Sequence, residues 1–444
     1  ARKCSHQEKI VTHSSIDNAR WFRSMAPYIN AHRNKTFVLA FSGEALLHSN
    51  FNNLLHDIAL LNSLGVQVVI VHGCRPQIDS RLRLSNIESF YKDGLRVTGI
   101  DIINHVIDAA LATRNHIESK LSMGLPNSPM QGSKLRICSG NFVTAHPLGI
   151  VDGTDLHFTG KVRRVDFHAI THQLALGAIV LQSPLGYSST GETFNLSIED
   201  VAVAISSEVK ADKLILFSEH SGLLSESKLV RQCRTSEITQ LKLIDESQRW
   251  LADAAIRACS AGVSRSHIIS YVNEGALLEE LFTHDGAGTL VTEDEYEKLR
   301  TATIEDIGGI LELLHPLEEE GILVKRSRKL LEEEISQFRL LDRDGRIIAC
   351  AALYPFEQEE MAEVACVVTH ANYQGKSRGS RLLEMLEKEA LDMGLKTLFV
   401  LTTQTAHWFL EKGFVETSME QLPKSRQSIY NLQRNSKVFF KTLS

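Results

Sequence analysis

Cysteine is sparse and unpatterned in this chain of 444 residues: Cys4, Cys74, Cys138, Cys233, Cys259, Cys350 and Cys366 make seven, an odd total with no CxxC pair. That excludes a disulfide framework or a zinc knuckle and fits reduced thiols. Proline is also scarce, at nine residues, which excludes a fibrous or proline-rich chain. Basic residues are not in excess. Lys plus Arg number 48 against 54 Asp plus Glu, a net charge of -6, so no nucleic-acid partner is expected. Long apolar runs are missing too: Val66 to Val71 and Phe37 to Phe41 fall far short of the roughly 20 residues a spanning helix needs. No membrane partner is expected, and the polar start without an apolar signal core points to the cytoplasm.

What is present is globular: 43% hydrophobic residues, 23% charged and 27 glycines predict two or three domains. Apolar spacing over Trp21, Phe22, Met25 and Ile29 predicts a helix broken or bent near Pro27, either an arm for a partner or a helix packed on its own domain. From Thr36, short apolar strands alternate with helical patterns, and Thr36 to Phe41, Asn53 to Leu64 and Val66 to Val71 form a βαβ unit. Strands at Leu135 to Ser139, Ile179 to Leu181, Leu214 to Phe217 and His267 to Ser270 extend the same parallel sheet. The charged stretch Glu293 to Arg300 reads as a linker. After it, helices at Asp306 to Leu314, Arg328 to Glu334 and Ser380 to Met393 mix with strands at Phe338 to Asp342, Arg346 to Leu353, Ala362 to Val368 and Thr397 to Leu401, an α+β pattern. Leu382, Leu383, Leu386 and Leu391 are expected in its core. His168 and His172, one helical turn apart, lack a third ligand and read as a helix face, so no metal is expected.

One loop carries chemistry. Between a strand and a helix, Gln374, Gly375, Lys376, Ser377, Arg378, Gly379 and Ser380 aim backbone N–H groups and a helix N-terminus at one spot, which suits a pyrophosphate; an ordinary turn has the same composition. Its setting decides. Strand, Q-x-x-S-x-G-S loop, helix, strand, helix and Lys412-Gly413-Phe414 resemble the acetyl-CoA-binding core of the GNAT N-acetyltransferases, and Arg300-Thr301-Ala302-Thr303 with Asp306 resembles their opening. Ser377 departs from the family, standing where its first loop glycine is expected.

The N-terminal part resembles the amino-acid kinase family, acetylglutamate kinases in particular, through Phe41-Ser42-Gly43-Glu44, Val71-His72-Gly73, Asp93 to Thr98, Pro184 to Tyr187, Phe194-Asn195 and Ala211 to Leu216. The kinase lysine falls on Ala40, a glycine on Ser42 and a late aspartate on Glu219, and Asn195-Leu196-Ser197 replaces the family's N-x-N. Phosphoryl transfer needs a cation on the moving phosphate, so this is read as a kinase fold without kinase chemistry. The fold class expected is thus α/β: a kinase-like, mainly parallel sheet with helices on both faces over 36–294, preceded by an arm over 1–35, and an α+β GNAT domain over 295–444.

That combination resembles the bacterial-type N-acetylglutamate synthase family. The resemblance implies direct transfer of an acetyl group from acetyl-CoA to L-glutamate, feedback by L-arginine as allosteric inhibitor, and a homo-oligomer, a hexamer. It implies Glu363 as general base, Thr402 as hydrogen-bond donor to the departing sulfur, the backbone around Cys366 and Val367 as the grip on the thioester carbonyl, and Val368 beside them as cofactor-binding. It places substrate binding on Lys325, which departs from a usual arginine, with Arg326 as the alternative, and on Cys366, Arg434 and Ser436, and the inhibitor at Tyr28, His267, Glu280, Gly286, Gly288 and Thr289. By residue type alone, Glu363 also reads as an exposed strand glutamate, Thr402 as a structural strand-end threonine, and the Lys325 to Arg328 and Arg434 to Lys437 runs as solvated clusters. Two rivals remain at this level: an arginine-sensitive kinase with a secondary acyltransferase domain, and a noncatalytic arginine sensor.

Overall fold

The computed structural model describes residues 22–23, 25–123, 130–283, 285–293, 297–343, 345–374, 377–403, 405–428 and 436–443, without the side chain of residue 372. The chain divides into two compact units, Ala1–Asp294 and Glu295–Ser444. The first is built on an eight-stranded sheet. Its strands are β1 (Thr36–Phe41), β2 (Gln67–His72), β3 (Ile137–Cys138), β4 (Ile179–Gln182), β5 (Lys213–Ser218), β6 (Gln232–Arg234), β7 (Arg265–Ser270) and β8 (Thr289–Thr292), in the order β6-β8-β7-β5-β1-β2-β4-β3. All neighbours are parallel except β7 and β8.

The strands are continuous apolar runs because both faces are covered. On β1, Val38 and Ala40 belong to one core with helices Ile198–Glu208 and Glu246–Ser260, whereas Phe37, Leu39 and Phe41 belong to another with α2 (Phe51–Ser63). A smaller sheet, Thr193–Asn195, Leu185–Tyr187, Val143–Pro147 and Gly160–Val165, was not anticipated from sequence. Pro27 lies in the first turn of α1 (Ala26–His32), where its missing N–H costs nothing, so it starts this helix rather than bending one through.

The second unit has seven strands: β9 (Lys298–Thr301), β10 (Phe338–Arg343), β11 (Arg346–Phe356), β12 (Met361–Thr369), β13 (Thr397–Thr402), β14 (Val415–Thr417) and β15 (Lys437–Thr442). Their order is β9-β10-β11-β12-β13-β15-β14, and only β12 with β13 is parallel. The charged stretch expected to be a linker is partly structure. Lys298 to Arg300 pair with β10, and Glu297 is a carboxylate partner for Arg378 and Arg381, an attachment that a composition reading of solvated charge misses.

Helix α3 (Arg378–Asp392) lies on this sheet through Leu382, Leu383, Leu386 and Ala390. Leu391, expected beside them, is exposed. It falls about 100° round the helix from Ala390, off the stripe set by the i, i+4 and i+8 positions.

Candidate active site

Two irregularities of β12 make the second unit's cleft. Its pairing with β13 runs from Met361↔Thr397 to Glu363↔Phe399 and ends there, while β13 continues against β15 to Thr402. Beyond Glu363 the two parallel strands therefore diverge, and their facing backbone groups are left for a ligand. On the other side, the register with β11 jumps from Ala352↔Ala365 to Cys350↔Val368. Two residues, Cys366 and Val367, thus oppose one, and Cys366 takes φ 52°, a bulge that turns amides out of the ladder.

The opening is a cleft of 1010 Å³ lined by Lys325, Arg326, Glu363, Cys366, Val367, Val368, Gln374, Thr402 and Ser436, together with Tyr354 and Arg426. Nine of the residues anticipated from sequence are thereby brought together. Gly375, Lys376 and Arg434 lie outside the described residues.

Glu363 is buried, not an exposed strand glutamate, and both its oxygens are held by the fork of one guanidinium: Arg426 donates from Nε to Oε2 at 2.5 Å and from Nη2 to Oε1 at 3.0 Å. Arg426 sits on a five-residue helix, α4 (Lys424–Ser428), whose brevity gives no apolar periodicity. Sequence reasoning missed it. Arg326 carries a raised pKa. Burial alone would lower it, and the hydrogen bond to Tyr354 is among the interactions that outweigh this; Tyr354 in turn donates to Glu334 at 2.7 Å. Burial pushes the Cys366 thiol up to about 11, so at neutral pH it is no nucleophile and its contribution is its backbone. Thr402 Oγ1 accepts the Thr405 N–H at 3.0 Å and shares a hydrogen bond with the Thr405 hydroxyl at 2.8 Å.

At the mouth of the loop, Ser377 takes φ 55° and ψ 17°, the left-handed conformation that favours glycine, and α3 begins directly after it. The first-turn amides of α3, on Arg378, Gly379 and Ser380, have no partner within the helix. Arg378 brings only its backbone there. Its side chain is buried, clasped to Glu297, stacked over Tyr373 and donating to the Tyr373 carbonyl at 2.7 Å.

In the first unit, the kinase-like strand ends enclose a cavity of 490 Å³ lined by Ala40, Ser42, Gly43, Gly73, Asn195 and Glu219 among others. Its arginines are already engaged: Arg75 donates to the Gly94 carbonyl at 2.9 Å, and Arg257 is held by Asp200 and Asp253. Alanine stands at position 40, and among the described residues no lysine lines the cavity.

A second polar cluster lies around β7. His267 Nδ1 is 2.6 Å from Glu280 Oε1, and Glu280 Oε2 accepts the amides of Ala287 at 2.6 Å and Gly288 at 2.8 Å. Burial would raise Glu280, but the His267 contact and those amides outweigh it and bring its pKa down to about 2. His267 is pushed down by burial and by Lys213, whose Nζ lies 3.4 Å from Nε2. Lys213 itself is brought down to about 7 by burial and by Arg265. The glycines are required here. A Cβ on Gly286, at φ +65°, would meet Glu280 Oε2 at 2.5 Å, and one on Gly288 would meet the Ile268 carbonyl at 2.2 Å. Thr289 is buried with its hydroxyl committed to the Val230 carbonyl, and Tyr28 packs into the core that holds Phe37 and Leu281. His32, on the helix of Tyr28, reaches the Leu281 carbonyl at 2.8 Å; neither it nor Lys213 stood out in the sequence.

Comparison with known proteins agrees with both units. The amino acid kinase family model matches residues 35–270 and the acetyltransferase (GNAT) family model residues 308–414. Amino-acid acetyltransferases of Azotobacter vinelandii and Pseudomonas putida are each 53% identical over 430 residues, 96% of this chain and the full length of the relative. The chain belongs to the amino-acid acetyltransferase family. As an amino-acid acetyltransferase it is an acyltransferase that uses acetyl-CoA as co-substrate. Crystal structures of N-acetylglutamate synthase from Neisseria gonorrhoeae are similar over 96% of this chain and 99% of theirs. The one complexed with coenzyme A and L-arginine has TM-score 0.89 at 34% identity, and the one with coenzyme A and N-acetyl-glutamate 0.62 at 35%. Among the described residues no group of His, Cys, Asp or Glu is arranged to hold a metal ion, and no helix is long and apolar enough to cross a membrane.

Proposed function

We propose that this amino-acid acetyltransferase makes N-acetyl-L-glutamate from acetyl-CoA and L-glutamate, the first step of arginine biosynthesis, under feedback by L-arginine. In this reading the chain is cytoplasmic, and 295–444 is the catalytic domain. Residues 36–294 form a kinase-inactive regulatory domain, 1–35 an arm, and the assembly is a hexamer. The observation that carries it is the placement of Glu363 in one cleft with Lys325, Arg326 and Arg426, beside a strand bulge at Cys366. A dicarboxylic amine needs cationic forks for its carboxylates, a base for its ammonium and donors for a carbonyl oxygen.

The chemistry follows from those places. Glu363 takes a proton from the substrate ammonium, and the freed nitrogen lone pair forms the C–N bond at the thioester carbon. The carbonyl electron pair moves onto oxygen, where the amides turned out by the bulge receive it. As the carbonyl re-forms, the C–S bond breaks and the thiolate leaves, with the Thr402 hydroxyl in reach as donor while the Thr405 hydroxyl supplies its internal hydrogen bond. Of the two protons shed by the ammonium, one ends on the CoA thiol and the other in solvent. No acetyl-enzyme is needed.

Arginine is assigned to the His267, Glu280, Gly286 and Gly288 cluster, where Glu280 receives the guanidinium and the glycine-loop amides the carboxylate. The test is thiol release from acetyl-CoA with and without L-glutamate and L-arginine, the product checked by mass. Glutamate-dependent release suppressed by arginine is the expected result. Release with another amine only would replace the substrate, and no release with any amine would remove the catalytic reading.

A further inference from the structure

The pairing of Glu363 with Arg426 is difficult to reconcile with Glu363 acting alone. Both oxygens of a carboxylate that is to accept a proton are here already engaged as acceptors by a two-pronged guanidinium. The pair is largely shielded from water, with 11% of the Glu363 side chain and 21% of the Arg426 side chain exposed, so screening does not dissolve it. Yet the guanidinium also lines the cleft that contains Lys325 and Arg326. It is thus within the volume where the acceptor's own carboxylates must find cations.

We propose that Arg426 is a carboxylate receptor for the amino-acid substrate that clamps Glu363 while the cleft is empty, so that the incoming carboxylate draws the guanidinium away and frees the base. The inference rests on the acetyl-transfer reading of the same cleft. Exchanging one carboxylate for another at a single guanidinium keeps an ion pair at every stage, which avoids stranding a buried charge. The device also discriminates. An amine without the right carboxylate leaves Glu363 clamped, so part of the substrate's binding interaction is realised as a competent base rather than as affinity.

The test compares wild type, Arg426→Gln and Arg426→Lys in steady-state thiol release with L-glutamate, L-glutamine and L-isoglutamine, the last two lacking the γ- and the α-carboxylate respectively. Glutamate-dependent release by the wild type is measured first, and its absence removes the acetyl-transfer reading whatever Arg426 does. With an active wild type, Arg426→Gln is expected to raise the KM for glutamate about tenfold to hundredfold, the loss of a hydrogen bond to a charged group, with the KM for acetyl-CoA held. Its preference for glutamate over one of the two amides should collapse by a similar factor, and which amide does so identifies the carboxylate received. Arg426→Lys, which keeps the charge but not the fork, should fall between. A lower kcat with the glutamate KM and both preferences unchanged would make Arg426 only a support for Glu363 and overturn the proposal. A readout independent of turnover is the affinity for N-acetyl-L-glutamate in the presence of CoA. Glu363→Gln weakens the internal competitor for Arg426 and should lower that Kd several-fold; an equal or higher Kd counts against competition.

Discussion

Ser377 pays with its backbone for what a glycine would give freely. At φ 55° an L-residue with a Cβ is held in the left-handed region, at a cost of about 1 kcal/mol, and Ser tolerates it where a β-branched residue would not. Ser377→Gly is therefore expected to leave unfolding stability unchanged or higher by up to about 1 kcal/mol, since relief of strain is partly offset by a freer unfolded chain. Acetyl-CoA binding should be no weaker. Ser377→Val should lose both stability and cofactor affinity; a valine variant that binds like wild type would show that the loop does not need this conformation. At the same scale, Glu363→Gln should reduce turnover about a hundredfold to ten-thousandfold, the usual worth of a positioned base, while acetyl-CoA binding persists. Unchanged turnover would take the base role from Glu363. These residues also mark what one sequence displays. The Ser377 departure is visible as a letter, whereas the Glu363 clamp joins positions 63 apart through an arginine with no local signature.

Elements were legible in proportion to their periodicity. β1, β2 and β5 are apolar runs because both faces are packed, and α3 is amphipathic enough that its expected span, Ser380 to Met393, differs from Arg378–Asp392 by two residues at the start and one at the end. What could not be read lay in pairing between distant strands. The divergence of β12 from β13, the side sheet around Val143–Pro147 and the use of Glu297 all depend on partners elsewhere in the chain. Lys213 is another case: as the first residue of β5 it reads as a solvated strand start, but it lies buried against His267. Its depressed pKa has a consequence for stability. Between about 7 folded and the ordinary 10.5, the unfolded chain holds the extra proton, so stability rises with pH through this range. The buried thiols Cys74 and Cys233, pushed up from 9.0 to about 12, act in the opposite sense only above pH 9. The urea midpoint should therefore climb from pH 7 to 8.5, and Lys213→Met should flatten the climb. A wild-type midpoint with no upward slope there would mean Lys213 keeps its charge in the fold.

In the molecule as a whole, two sites lie in two compact units: a polar cluster at His267 and Glu280 and the cleft that holds Glu363. If arginine at the first restrains acetyl transfer at the second by changing substrate affinity, linkage requires the converse in equal measure. Calorimetric titration of L-arginine into the full chain saturated with CoA, with and without N-acetyl-L-glutamate, should then show arginine binding more weakly when the cleft is filled. The factor, typically five- to 150-fold for such couplings, should equal that by which arginine weakens N-acetyl-L-glutamate. Glu280→Gln, which removes the charge that now engages the Ala287 and Gly288 amides, should lose arginine binding and with it both halves of the effect. Unequal factors are impossible at equilibrium, so the informative failure is a different one. Arginine that binds tightly, slows turnover and yet leaves substrate and product affinities untouched would place its action on a step after binding, and the cluster at Glu280 would then control the rate at which the cleft works rather than what it holds.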